Sequence, residues 1–163
     1  MAISATLSVR NPRTGIWDYD TPITSVTQLE AETAQLRAAQ AKWRDMGVAT
    51  RAACLDAFAD ALTEEFEPLA DALSIDTGRE TFAHFEAAKS IELVRVWAAK
   101  APLIMKSFAS SGHSDQVPTI HYQHRLIPYE VVAVISPWNV PLLLAMIDSL
   151  PALSAGCSVL LKP

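Results

Sequence analysis

Residues 131–163 read VVAVISPWNVPLLLAMIDSLPALSAGCSVLLKP, and the polar interruption Ser136–Asn139 between two apolar runs decides the fold. Val131 to Ile135 is β-branched almost throughout, the pattern of strands buried on both faces in parallel sheets. Asn139 is a preferred N-cap residue, and Pro141 falls in the first helical turn, where a missing N–H costs nothing. A helix is therefore predicted to carry Leu142 to Ile147, bend at Pro151 and stop near Gly156, after which CSVLLK forms a second buried strand. Two strands joined by one crossover helix run parallel with a right-handed connection. Ile135 and Lys162 then end on the same carboxyl edge, where open α/β sheets bind their ligands. The fold class is α/β, with the start of a Rossmann-like parallel sheet.

That edge is the polar rim of an otherwise apolar unit. Lys162 there has two readings that spacing leaves equally open: a solvated residue closing a strand, or an ammonium reaching ribose hydroxyls or a phosphate. For Asn139 the local pattern favours a helix cap over a catalytic amide. No GxGxxG follows the first strand, so the usual dinucleotide fingerprint is missing.

Between Val131 and Leu161 the only formal charge is Asp148, and the run exceeds the roughly 20 residues that span a bilayer. Pro137, Pro141 and Pro151 lie within it, and a lipid-facing helix would leave backbone carbonyls unpaired at each, so a buried core is expected and no membrane partner. The net charge of −5 argues against a phosphate-tracking surface and hence against nucleic acid. Cys54 and Cys157 are the only cysteines and show no metal spacing, and the N-terminus has no basic start followed by an apolar core, so a reducing, cytoplasmic setting is expected. No metal is expected, because His121 and His124 stand three apart on an extended segment and face opposite sides.

Working towards the N-terminus, VVAVI is preceded by the extended segment TIHYQHRLI and the polar loop SSGHSDQVP. His113, Ser114 and Asp115 in that loop resemble a triad in composition only, since adjacent loop residues cannot adopt triad geometry. Glu80 to Phe108 is predicted helical, apolar around much of its circumference, with Pro102 as a kink or break. A helix from about Thr50 carries one unbroken stripe from Leu55 through Phe58, Leu62, Phe66 and Leu69 to Leu73 and stops at Gly78. Ser25 and Gln28 are placed as a capping box for an earlier helix ended by Gly47. The first twenty residues read as a hairpin turning at RNPRTG.

With these segments in place, the chain resembles the aldehyde dehydrogenase superfamily along nearly its whole length. Pro137-Trp138-Asn139-Val140-Pro141 matches the family's Pro-Trp-Asn-x-Pro signature, and Lys162-Pro163 matches its Lys-Pro at the expected distance. RNPRTG is similar to the family's N-terminal Asn-Pro-x-Thr-Gly turn, and residues 42–80 resemble its paired helices ending in Thr-Gly-Lys/Arg. Tyr129-Glu130 departs from the pattern, where a Gly often stands.

The resemblance implies NAD(P)+-dependent oxidation of a small-molecule aldehyde to a carboxylate. Asn139 would be the catalytic oxyanion donor, Ile135, Ser136, Pro137, Trp138 and Asn139 the cofactor-lining segment, and Lys162 the ribose contact, with NAD or NADP left open. It further implies residues 1–115 as hairpin and helices of the cofactor-binding domain, 116–128 as an oligomerisation strand of a dimer or tetramer, and 129–163 as the first strand-helix-strand unit. The chain looks like an N-terminal third, with the family's nucleophilic Cys and general-base Glu in later segments. Coenzyme A-dependent and reductive relatives share this third. The alternative is a non-catalytic remnant that binds a partner or adds oligomerisation surface. Cys157, in an apolar setting, is expected to be inert, and Cys54 to be helix packing.

Overall fold

A computed structural model of the protein describes residues 5–108 and 110–163; the first four residues and residue 109 lie outside the described set. Strands β1 (Thr6–Arg10) and β2 (Trp17–Pro22) pair antiparallel with an irregularity between Val9 and Arg10. Their turn is set by Asn11, whose Oδ1 accepts from the amides of Arg13 at 2.9 Å and Thr14 at 3.1 Å, an Asx turn that fixes the chain locally. Helix α1 (Val26–Asp45) opens with the predicted capping box, Ser25 and Gln28 each bonding the other's backbone. Of its apolar side chains Val26 and Leu29 are exposed and Leu36 and Trp43 half-buried, while Gln40 is buried.

The stripe from Leu55 to Leu73 is not one helix. It breaks at Glu65, which separates α2 (Gly47–Glu64) from α3 (Phe66–Thr77). Glu65 adopts φ −98° and ψ 23°, a local departure that keeps both halves against the same partner. That partner is α4 (Glu80–Phe108), which runs through Pro102 without ending there. Leu55 and Ala59 of α2 pack with Val94 and Ala98 of α4, and Ala70 and Leu73 of α3 with Ala83 and Ala87. Small residues on α3 and α4 permit close approach, and burial of such faces is the main stabilising term.

The predicted polar loop is in part a strand: β3 (Ser110–His113) pairs antiparallel with β4 (His121–His124). Only the four residues of β4 within TIHYQHRLI are extended in a ladder. His113 and His121 are direct cross-strand partners, with ring centroids 4.1 Å apart. His113 Nδ1 meets the carbonyl of Pro118 at 3.0 Å, so its partner is a backbone acceptor and no triad is assembled. Among the described residues no group of three or more metal-ligating side chains occurs, and no helix is long and apolar enough to cross a membrane.

The chain closes with β5 (Val131–Ile135), α5 (Pro141–Ala155) and β6 (Ser158–Lys162), the two strands parallel as predicted. β5 is not buried on both faces. Val134 is 4% exposed while its neighbours Ala133 and Ile135 are open, Ile135 at 77%, so alternate residues of the strand differ in burial. α5 itself belongs to the main core, placing Met146 and Leu150 beside Leu55, Ala59, Val94 and Ala98.

Side chains from the helical layer hold both ends of α5. At its start Glu86 of α4, fully buried, accepts from the amides of Leu142 at 2.8 Å and Leu143 at 3.1 Å. At its end the buried Arg51 of α2 donates Nε to the carbonyl of Ser154 at 3.1 Å and Nη1 to that of Arg44 at 2.8 Å. Gln40 and Trp43 add bonds to the carbonyls of Gly156 and Leu153, both 2.9 Å. An anion at the N-terminus and a cation at the C-terminus match the helix dipole.

Cys157, between α5 and β6, is buried, and burial pushes its thiol up, opposed more weakly by the Tyr129 backbone and by Arg51. Cys54 is exposed on α2, and so is less enclosed than a packing role implies. Iodoacetamide should therefore label Cys54 and spare Cys157 in the native chain, and label both in denaturant; peptide mass spectrometry reads this directly. Replacing Arg51 by Met should lower stability by about 3 kcal/mol in urea melts, since carbonyls of α1 and α5 lose a charged donor together. Arg51→Lys, without the fork, should recover less than half of that.

Candidate active site

The carboxyl edge of β5 and β6 is assembled as the sequence pattern requires. Ile135 pairs with Lys162, and the amide of Ser136 donates to the Lys162 carbonyl at 2.9 Å, extending the parallel ladder by one residue. The chain then leaves the sheet at Pro137. Ser136 is buried and turns its hydroxyl onto the Pro141 carbonyl at 2.7 Å, bridging the two ends of the loop. Pro137 and Pro141 carry no N–H to donate, and the Ser136 hydroxyl joins the two ends of the loop.

Asn139 is not the helix cap. The N-cap of α5 is Val140, at φ −143° and ψ 64°, with no side-chain cap bond, and Pro141 takes the first helical position. Glu86 satisfies the orphan amides instead, and that long-range cap releases Asn139 from the local role its sequence position suggested. The Asn139 side chain is exposed, while its carbonyl accepts from Arg79 Nη1 at 3.0 Å. Trp138 is 80% exposed beside it. Lys162 is exposed and its Nζ donates to the Pro163 carbonyl at 3.1 Å, so the ammonium stands in solvent at the same edge.

Sequence reasoning missed Arg79 and Glu86. Arg79 follows Gly78, which ends α3 at φ +71° and sits so close to the β1–β2 turn that an added Cβ would meet Arg13 Cγ at 3.0 Å and Pro12 Cγ at 3.1 Å. Only glycine suits both the left-handed backbone and that approach. Three separated motifs thus meet in space: Asn11 to Gly15, Thr77 to Arg79, and Ser136 to Asn139. The available signal for Glu86 was a carboxylate on an otherwise apolar helix face, where charge is rarely buried without a partner.

The edge fits a nicotinamide dinucleotide in its donor chemistry. Ile135 and Trp138 offer an exposed apolar platform, Asn139 an amide and Lys162 a cation. The start of α5 does not fit a pyrophosphate, because a carboxylate already occupies the amides that would receive one. This accounts physically for the missing glycine fingerprint, whose task is to bring pyrophosphate to that helix end.

Comparison with known proteins agrees with this architecture. A protein of Mycolicibacterium smegmatis, provisionally named an NADP(+) succinate-semialdehyde dehydrogenase, is 34% identical over 143 residues, covering 87% of this chain and 27% of that protein. The chain therefore spans little more than a quarter of the curated relatives it matches. Among solved structures, the NADP-dependent glyceraldehyde-3-phosphate dehydrogenase of Bacillus halodurans, complexed with NADP, superposes with a TM-score of 0.89 at 25% identity, over 98% of this chain and 34% of that one. The NAD-dependent benzaldehyde dehydrogenase of Corynebacterium glutamicum gives 0.89 at 26% identity over the same shares. Residues 2–163 match the aldehyde dehydrogenase family, and the chain belongs to that family.

Proposed function

We propose that this chain forms the cofactor edge of an enzyme that oxidises an aldehyde to a carboxylate with NAD(P)+, and that Asn139 donates its amide to the substrate oxyanion. The observation that carries this reading is the exposure of the Asn139 side chain on a loop held by its backbone, at the carboxyl end of a parallel strand pair. With its backbone held, only the side-chain torsions of this donor would need to settle when negative charge develops on the aldehyde oxygen.

The cofactor, when bound, supplies the hydride acceptor. Ile135 and Trp138 would flank its apolar parts, the backbone around Ser136 and Pro137 would shape the path between them, and Lys162 would meet ribose hydroxyls. Neither cysteine of the chain suits the family's nucleophile: Cys157 is buried with its thiol pushed up, and Cys54 lies on α2 outside this edge. We assign residues 129–163 to the first unit of the cofactor-binding domain and the β3–β4 hairpin to an oligomerisation sheet of a dimer or tetramer.

Exposed apolar side chains favour one other reading. Ile127, Tyr129, Ile135 and Trp138 are each at least 77% exposed, a surface that a non-catalytic subunit could use to bind a partner. Cofactor binding separates the two. In the protein carrying this segment, Asn139→Ala should lower kcat about a hundredfold or more and leave the Kd for NAD(P)+ nearly unchanged. Lys162→Ala should instead raise that Kd first. Equal loss of cofactor affinity in Asn139→Ala would remove the oxyanion role, and no measurable NAD(P)+ binding by the native protein would favour the partner-binding subunit.

A further inference from the structure

We propose that Arg79 and Glu86 are positioning residues for Asn139, an inference that rests on the oxyanion role given to that residue. Among the described residues the Asn139 amide makes no hydrogen bond to the protein, so its aim depends on the backbone that carries it. That backbone is fixed on both sides. Upstream, Ser136 joins the Lys162 and Pro141 carbonyls. At the residue itself, Arg79 holds the Asn139 carbonyl at 3.0 Å, and the guanidinium is kept in place by lying over the Phe82 ring at 3.9 Å from its centroid. Downstream, Glu86 holds the amides of Leu142 and Leu143.

Glu86 stands in the second turn of α4 and Arg79 immediately precedes that helix, its carbonyl accepting from the amide of Ala83 at 2.8 Å. Together they tie residues 139–143 to α4 and the residue that leads into it, leaving Asn139 its own side-chain torsions. Displacement of a catalytic group by about 1 Å can cost a hundredfold in rate, so contacts of this kind act on turnover without touching substrate. Arg79 gives the cleaner test. It is exposed, whereas Glu86 is fully buried and its loss disturbs the core.

In the protein carrying this segment, Arg79→Ala should lower kcat at least about tenfold, with the Kd for NAD(P)+ and the melting temperature nearly unchanged. Arg79→Lys should restore part of the rate through a single donor to the Asn139 carbonyl. Glu86→Gln, which keeps an acceptor oxygen, should retain more activity than Glu86→Leu. The double variant Arg79→Ala, Asn139→Ala should turn over no slower than Asn139→Ala alone, because a positioning contact has nothing left to position. Fully multiplicative losses, or native turnover in Arg79→Ala, would overturn the inference. If Asn139→Ala turned over like the native protein, the oxyanion reading would fall by itself. Amide exchange across residues 139–143 then decides: faster exchange in Arg79→Ala and Glu86→Leu upholds the positioning role, and unchanged protection overturns it.

Discussion

The rest of the structure depends on a carboxylate buried at the start of one helix. Glu86 is 0% exposed and is drawn from α4 onto two amides of α5 that no local side chain caps. Its second oxygen has no hydrogen-bond partner among the described residues, so the charge leans on the positive end of α5. Burying a carboxylate is costly unless charge-assisted bonds offset it, and the cost is met here only in one register of α4 against α5. Arg51 imposes the same demand at the other end, with the opposite sign. A crossover helix gripped by an anion in front and a cation behind can neither slide nor turn without exposing one of them to an unpaired site. The parallel strands inherit that fixed geometry, because α5 connects them.

What the sequence made legible follows the reach of each interaction. The order and parallel pairing of the strand-helix-strand unit, the capping box at Ser25 and Gln28 and the turn at Asn11 are written in neighbouring residues and stand as read, whereas the burial of β5 and the cap of α5 do not. The continuous stripe from Leu55 to Leu73 misled because apolar spacing continues across Glu65 although the helix does not; both halves face α4, so periodicity persists through the break. β3 was hidden because Ser-Ser-Gly-His has the composition of a loop and becomes a strand only beside β4. Asn139 shows the limit most directly. Its local chemistry is that of a cap, yet a residue far away in sequence caps the helix and frees it. The candidate site was therefore legible in its residues and illegible in its supports: Arg79 and Glu86 act across about sixty positions, and single-sequence patterns carry no such pairing.

The family motifs acquire a physical reason from their meeting point. Gly78 is the hinge of that arrangement, since its left-handed backbone ends α3, its missing side chain admits the turn of Pro12 and Arg13, and its neighbour Arg79 reaches the loop of Trp138 and Asn139. The turn, the glycine and the loop are far apart in the chain and mutually constrained in space. A resemblance spread over several short motifs is what a fold of this kind should leave in sequence, because each motif is one side of a contact whose other side is another motif.

The occupied helix end also bears on how a dinucleotide could lie on this edge. In the usual doubly wound arrangement the first strand delivers the pyrophosphate to the amides of the following helix, and glycines keep the approach open. Here Leu142 and Leu143 give those amides to Glu86, and Pro141 removes another. Two anions cannot share them at low dielectric without large repulsion. A dinucleotide bound as proposed would keep its phosphates away from α5 and bring its uncharged parts to Ile135, Trp138 and Asn139, with Lys162 left to meet hydroxyls or a phosphate at the far side. The same carboxylate that closes the helix to phosphate is the one that fixes the backbone of residues 142 and 143. Closing the helix end to phosphate and fixing the backbone just after the Asn139 loop thus come from a single buried side chain.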